Sequence, residues 1–132
     1  MNYELLNQPV YFIKLENLTN EVKMYHLSKI LFYKSPQFLH FHQDKLNREE
    51  SILISEDGID ELIPILDGSE INIYECIQIS NTMDYINESG FVSLVSTKFS
   101  SYNIPILYIT TYKSNFVLFE KKYLDNVLFI LS

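Results

Sequence analysis

The sequence predicts an α+β fold in which one β-α-β-β-α order occurs twice. Three observations predict it. Residues 38–43 and 71–80 alternate apolar and polar side chains, the period of a half-buried strand. Residues 21–33, 91–102 and 121–131 place apolar side chains at helical spacing instead. The order then repeats, with roughly 66 residues per unit, which is the scale at which internal repeats reveal architecture.

Residues 3–6 and 10–15 read as strand segments parted by Pro9, which cannot donate to a ladder. Residues 17–20 form a loop with capping side chains. Residues 21–33 come next as a helix whose buried stripe is Leu27, Ile30 and Leu31, and Ser35-Pro36 ends it. In the strand at 38–43, Leu39 and Phe41 face one way, and Phe38, His40 and His42 the other. Residues 44–50 form a polar turn and 52–54 a short strand. Residues 55–58 form a capping loop, and 59–63 a short helix that Pro64 stops.

Asp67-Gly68-Ser69 is a turn. The long strand 71–80 sets Ile71, Ile73, Glu75, Ile77 and Ile79 against Asn72, Tyr74, Cys76 and Gln78. A polar loop at 81–89 leads to the helix 91–102, with Val92, Val95 and Phe99 on one face. Strands 104–110 and 116–120 are apolar on both faces, which predicts central positions. A hairpin turn over 112–115 joins them. The last helix, 121–131, carries Leu124, Val127, Leu128 and Leu131 at i, i+3, i+4 and i+7.

Each unit matches the split β-α-β plan of ferredoxin-like folds, two helices over one face of an antiparallel sheet. The first unit is expected over 7–70 and the second over 71–132. The second unit is expected to lack a closing strand after its last helix, whereas residues 2–6 read as a spare strand. They are expected to return and close the second sheet, which would interlock the two units.

Composition excludes several functions. The formal charge is −7, with 10 basic and 17 acidic side chains, and Arg48 is the only arginine. Nucleic-acid binding draws on clustered Lys and Arg against phosphate, and an anionic membrane surface asks for the same. Cys76 is the sole cysteine, so no intrachain disulfide forms, and the chain suits a reducing compartment such as the cytoplasm. Residues 1–4 show neither the basic start nor the apolar region of a signal peptide.

Two segments carry a resemblance. One is Tyr25-His26-Leu27-Ser28-Lys29-Ile30-Leu31-Phe32 together with residues 50–58. The more specific is Ile109-Thr110-Thr111-Tyr112-Lys113-Ser114-Asn115-Phe116-Val117-Leu118 together with Tyr123-Leu124. With the repeat, they resemble tandem ACT domains: the CASTOR family of cytosolic arginine sensors, short bacterial double-ACT proteins and, more distantly, the regulatory half of aspartate kinases. The resemblance implies a non-enzymatic regulatory module that binds an amino acid or similar metabolite at an ACT–ACT interface. It also implies pairing of two copies, because the sensors have four such units. It places the ligand beside Glu88, Gly90 and Phe91 at a helix start, Pro105 and Ile106 on the facing strand, and Thr111, Tyr112 and Asn115 at the hairpin. Asn115 stands where the arginine sensors carry Asp, and Pro105 where they carry Ser.

The residues agree on the location. Gly90 at a helix start lets a ligand approach backbone, and a helix N-terminus favours a carboxylate. Glu88 and Asp84 are suited to an ammonium group. No cofactor, metal or catalytic residue is expected. His40 and His42 share a strand face, but the sequence offers no third ligand for them. Cys76 lies in a strand with no basic neighbour to activate it. No Gly-x-Ser-x-Gly elbow or Gly-rich phosphate loop occurs. Two other readings stay open: an interaction scaffold with an ACT fold and no pocket, and the regulatory subunit of an amino-acid biosynthetic enzyme.

Overall fold

The computed structural model describes residues 2–66, 71–80, 87–111 and 113–132, with Glu88 described in its backbone alone. The turn expected at 67–69 and most of the loop expected at 81–89 lie outside the described residues. The chain divides into two compact units: Gln8–Ile73, and Met1–Asn7 with Tyr74–Ser132. Among the described residues no helix is long and apolar enough to cross a membrane.

The first unit takes its strands in the sheet order β3-β4-β2, with β2 over Val10–Lys14, β3 over Leu39–Asp44 and β4 over Glu49–Ser55. Both pairings are antiparallel, with Ile13 opposite Ile52 and Phe41 also opposite Ile52. Residues 51–55 of β4 are all buried, as a central strand requires. The polar turn contracts to four residues because Asp44 organises it. Its Oδ1 accepts from the amides of Leu46 and Asn47 at 3.0 and 3.3 Å. The core consists of Ile13, Leu15, Ile30, Ile52, Ile54, Ile59 and Leu62, and Ile71 packs against it.

Helix α1 spans Asn20–Lys29, with Thr19 capping it by accepting from the amide of Val22. It does not continue as one α-helix to residue 33. Ile30–Lys34 form a π turn, closed where the Ser35 amide donates to the Ile30 carbonyl at 3.0 Å with φ 43° at Ser35. The expected stripe is correspondingly broken. Ile30 is fully buried, but Leu31 is 55% exposed. A π turn takes in more residues than an α turn and so rotates the residues after Ile30 off the helical stripe.

A short helix α2, Glu56–Ile59, begins where a capping loop was expected, and Pro64 lies inside a 3-10 turn, Ile63–Ile65, rather than ending a helix. Ser55 fixes this corner. Its hydroxyl accepts from the Phe38 amide at 2.9 Å and lies 2.6 Å from Asp57 Oδ1. Gly58 is packed closely here. A Cβ at that position would sit 2.9 Å from Ile54 Cδ1 and 3.0 Å from Pro36 Cβ; Ile54 is fully buried, and the Pro36 Cβ belongs to a ring. Gly58→Ala is therefore expected to cost about 1–3 kcal/mol by overpacking, read as a lower urea midpoint. An unchanged midpoint would show that Ile54 and Pro36 yield freely.

The second unit has the sheet order β1-β5-β7-β6, antiparallel throughout. The strands are β1 (Asn2–Leu5), β5 (Ile71–Ser80), β6 (Leu107–Thr110) and β7 (Asn115–Phe119). β1 runs beside β5 with Asn2 opposite Ser80 and Leu5 opposite Ile77, and the Leu6 amide donates to the Cys76 carbonyl at 2.9 Å. Helices α3 (Glu88–Ser101) and α4 (Leu124–Leu131) cover one core. It contains Ile77, Ile79, Phe91, Val95, Phe99, Ile104, Val117, Phe119, Val127, Ile130 and Leu131.

Three expectations are corrected. Residues 104–106 are not strand, and β6 is an edge rather than a central strand, with its apolar side chains half-buried. Asn103 takes φ 57° after α3 and directs the chain into that edge. Asn115 belongs to β7, not to the turn.

Candidate functional site

The end of β5 at Ser80 is where the second unit collects polar groups. β1 begins opposite it, the chain leaves it toward α3, and the β6–β7 turn closes beside it through the pairing of Ile79 with Asn115. The turn is built by one side chain. The Thr111 amide and hydroxyl both donate to the Ser114 carbonyl, at 2.8 and 3.1 Å, and the Thr111 hydroxyl accepts from the Ser114 amide at 3.1 Å. Gln78 on β5 holds the turn to the sheet by donating from Nε2 to the Ser114 hydroxyl at 2.9 Å. A cleft of about 170 Å³ opens here, lined by Asn2, Tyr3, Glu4, Gln78 and Ser80.

At the start of α3, Asn87 is the N-cap. Its Oδ1 accepts from the Gly90 amide at 2.8 Å, so one of the helix's open donors is satisfied within the chain. Gly90 is exposed, and its φ is not positive, so it serves by lacking a side chain rather than by an unusual backbone. Phe91 is 1% exposed and belongs to the core, so it offers no side chain to a ligand. Pro105 is exposed, and Ile106 packs against the core. Asn115 is 6% exposed, its Oδ1 accepting from the Thr110 hydroxyl at 3.2 Å. Tyr112, Asp84 and the Glu88 side chain lie outside the described residues.

Gln78 and Ser114 join this region without having been expected there. Gln78 lies between Ile77 and Ile79 on the opposite face, and a polar side chain between two buried isoleucines was the available signal.

The first unit has a larger cleft, about 530 Å³, lined by Glu16, Asn20, Gln43, Asp44, Lys45, Arg48 and Glu50. Two of its carboxylates, Glu50 and Asp44, are held by neighbours. Lys23 hydrogen-bonds Glu50 and holds its carboxyl below the usual range, and the Asn47 side chain does the same for Asp44. Folded-state values below the unfolded ones mean that this support is complete above the ordinary carboxylate range and is lost as pH falls below it through the lowered folded-state values.

Burial pushes the Cys76 thiol up to about 12, with Glu75 adding to the effect. The folded protein is expected to leave Cys76 unmodified by a thiol reagent at pH 8, and denaturation to expose one reactive thiol. Reaction at a free-cysteine rate in the native state would overturn this. Since the unfolded thiol ionises first, Cys76 also reduces stability as pH rises beyond about 8.5.

His40 and His42 lie on β3 opposite Leu53 and Ser51, and His26 Nδ1 sits 2.8 Å from Glu61 Oε1. Among the described residues no three His, Cys, Asp or Glu side chains are grouped to hold a metal.

The sequence matches no family profile and no curated protein. Solved structures do resemble it. A Vibrio cholerae protein of unknown function, described as a possible transport protein, superposes with TM-score 0.67 at 14% identity, covering 98% of this chain and 86% of that one. A C-terminal regulatory domain of aspartate kinase from Porphyromonas gingivalis gives TM-score 0.59 at 16% identity, over 99% and 94%. The regulatory subunit of aspartate kinase from Thermus flavus gives 0.61 at 9%, over 98% and 94%. The fold is of the ACT type. At these identities the likeness shows the ACT fold alone. It does not extend to arginine sensing.

Proposed function

We propose that this chain is a regulatory module without catalytic activity. It binds an amino acid or similar small metabolite at an ACT–ACT interface between the second units of two copies. The observation that carries the reading is the shared fold: regulatory units of aspartate kinase are matched over 94% of their length. Glu88, Gly90, Pro105, Ile106, Thr111, Tyr112 and Asn115 are the proposed contacts, and Phe91 stands behind them in the core. A guanidinium is best held by carboxylates in paired, charge-assisted bonds. Asn115 provides none, and its oxygen already accepts from Thr110. This weakens the case for arginine relative to other amino acids or similar metabolites. The module acts as a homodimer, two-fold pairing being the commonest closed symmetry, and the buried lone cysteine suits the cytoplasm.

The test is a thermal-shift series with each of the twenty amino acids at millimolar concentration. A ligand present at 100 times its Kd stabilises the bound state by about 2.7 kcal/mol. At least one amino acid is expected to raise the melting temperature more than arginine does. Gly90→Trp is expected to abolish that rise while leaving the unliganded melt in place, since Gly90 is exposed. No shift with any of the twenty would overturn the reading.

A second reading is a regulatory subunit whose catalytic partner is a separate chain, which the Thermus neighbour's description favours. Co-purification of an amino-acid biosynthetic activity distinguishes it. A docking scaffold without a pocket is the third, favoured by the exposed Tyr25, Phe32 and Tyr33.

A further inference from the structure

The larger cleft belongs to the first unit and uses none of the residues proposed for the amino acid. Its charges are unevenly satisfied. Glu50 is paired with Lys23. The oxygens of Asp44 accept from the amides of Leu46 and Asn47 and, at 2.8 Å, from the Asn47 side chain. The Glu16, Lys45 and Arg48 side chains also line the cleft, and among the described residues none of the three makes a hydrogen bond or an ion pair. Lys45 acts on Glu50 only through space. Two cations therefore face the cleft against one free carboxylate.

Arg48 is the more informative of the two cations. It is the one arginine among 10 basic side chains. The β3–β4 turn holds it at φ 53°, in the left-handed region, where glycine sits at lower cost. Its amide donates to the Lys45 carbonyl at 3.4 Å, so the same turn sets the positions of both cations. The turn by itself asks for glycine at that position, not for a long charged side chain. A guanidinium presents a planar fork of donors that matches the oxygens of a carboxylate or a phosphate, and an ammonium adds a compact point charge.

We infer that Lys45 and Arg48 form a binding site for a small dianion, a phosphate ester or a dicarboxylate, in the cleft between the β3–β4 turn and the start of α1. Arg48 holds one oxyanion group through paired donors, and Lys45 supplies the second positive charge. Asn20, on the opposite wall, offers an amide donor to an oxygen that the cations leave open. Glu16 opposes the anion and keeps affinity below what the two cations alone would give. A cleft of about 530 Å³ has the size of a small-metabolite site. The formal charge of −7 turns away a polyanion such as nucleic acid, which leaves a small molecule as the occupant.

The test is an amide-resolved NMR titration of the full chain at low salt with inorganic phosphate, succinate and, at matched ionic strength, chloride. Phosphate or succinate is expected to give saturable shifts at residues 45–48 in the millimolar range, and chloride only the unsaturable drift of screening. Tighter binding of phosphate assigns the site to a phosphate ester, and tighter binding of succinate to a dicarboxylate. Arg48→Gln is expected to weaken binding at least about tenfold, the loss of a charge-assisted pair. Glu16→Gln is expected to tighten it. Arg48→Gly separates site from turn: glycine suits φ 53°, so the urea midpoint is expected to hold or rise while the anion is lost. Gly90→Trp, aimed at the amino-acid site, is expected to leave this titration unchanged, so either reading can fail without the other. Shifts no different from those of chloride, or an affinity that survives Arg48→Gln, would overturn the site.

Discussion

A chain lacking residues 2–6 is expected to lose most of the stability of the second unit. β1 is the outer partner of β5, four residues in antiparallel register from Asn2–Ser80 to Leu5–Ile77, and the Leu6 amide extends the ladder to Cys76. Leu6 is 9% exposed, and Leu5 packs against the core that holds Ile77 and Phe91. Burying a leucine contributes about 1.5–3 kcal/mol, so the two account for roughly 3–6 kcal/mol before the ladder is considered. Domains are stable by only about 5–15 kcal/mol. The expected result is a urea midpoint lowered by half or more, with amide-exchange protection lost at Gln78 and Ser80 on β5, whose amides face β1. Protection on β4 in the first unit should fall less. We propose that this strand interlocks the units, because it enters the second unit before the chain builds the first. An unchanged midpoint and unchanged exchange at Gln78 would sink the idea.

How much of this was legible in the sequence varies by segment, for physical reasons. β5 was legible in its extent, 71–80, but not in its faces: Ile73 on the expected apolar face is 54% exposed, and Cys76 on the opposite face is fully buried. α3 was legible at its core face but not at its start. Asn87 caps the helix, yet Phe91 is the first buried residue, and periodicity detects burial rather than caps. The π turn after α1 was not legible. Leu27, Ile30 and Leu31 fit the α spacing on paper, and nothing local distinguishes a turn that takes in extra residues. β6 was misread as central because its residues are apolar, and an edge strand covered by helices on one face has the same composition. The candidate site divides the same way. Gly90 and Thr111 were named from the resemblance, whereas Asn87 as the competitor for the Gly90 amide needs the observed helix start and Gln78 as the anchor of the Ser114 turn needs the sheet register.

The distinction between site and core leads to the second large effect, at Phe91. The sequence places Phe91 among the ligand contacts, one residue after Gly90. The structure turns its side chain inward, 1% exposed, among Ile77, Val95 and Phe99. Truncation there removes a ring from a closed core, and Phe→Ala substitutions of this kind cost about 3–5 kcal/mol through lost transfer energy and the cavity left behind. Phe91→Ala is thus expected to lower the unliganded melting temperature by roughly 10–20 °C, taking about 4 °C per kcal/mol as the scale for a chain of this size. A ligand contact would behave differently: its loss would leave the unliganded melt in place and reduce only the stabilisation that an amino acid provides. Gly90→Trp is expected to show that second pattern. Since binding stabilises the native state by mass action, any amino acid that shifts the native chain should shift Phe91→Ala by a comparable free energy from its lower starting point. A Phe91→Ala chain that melts like the native one but has lost its ligand response would return Phe91 to the site and remove it from the core.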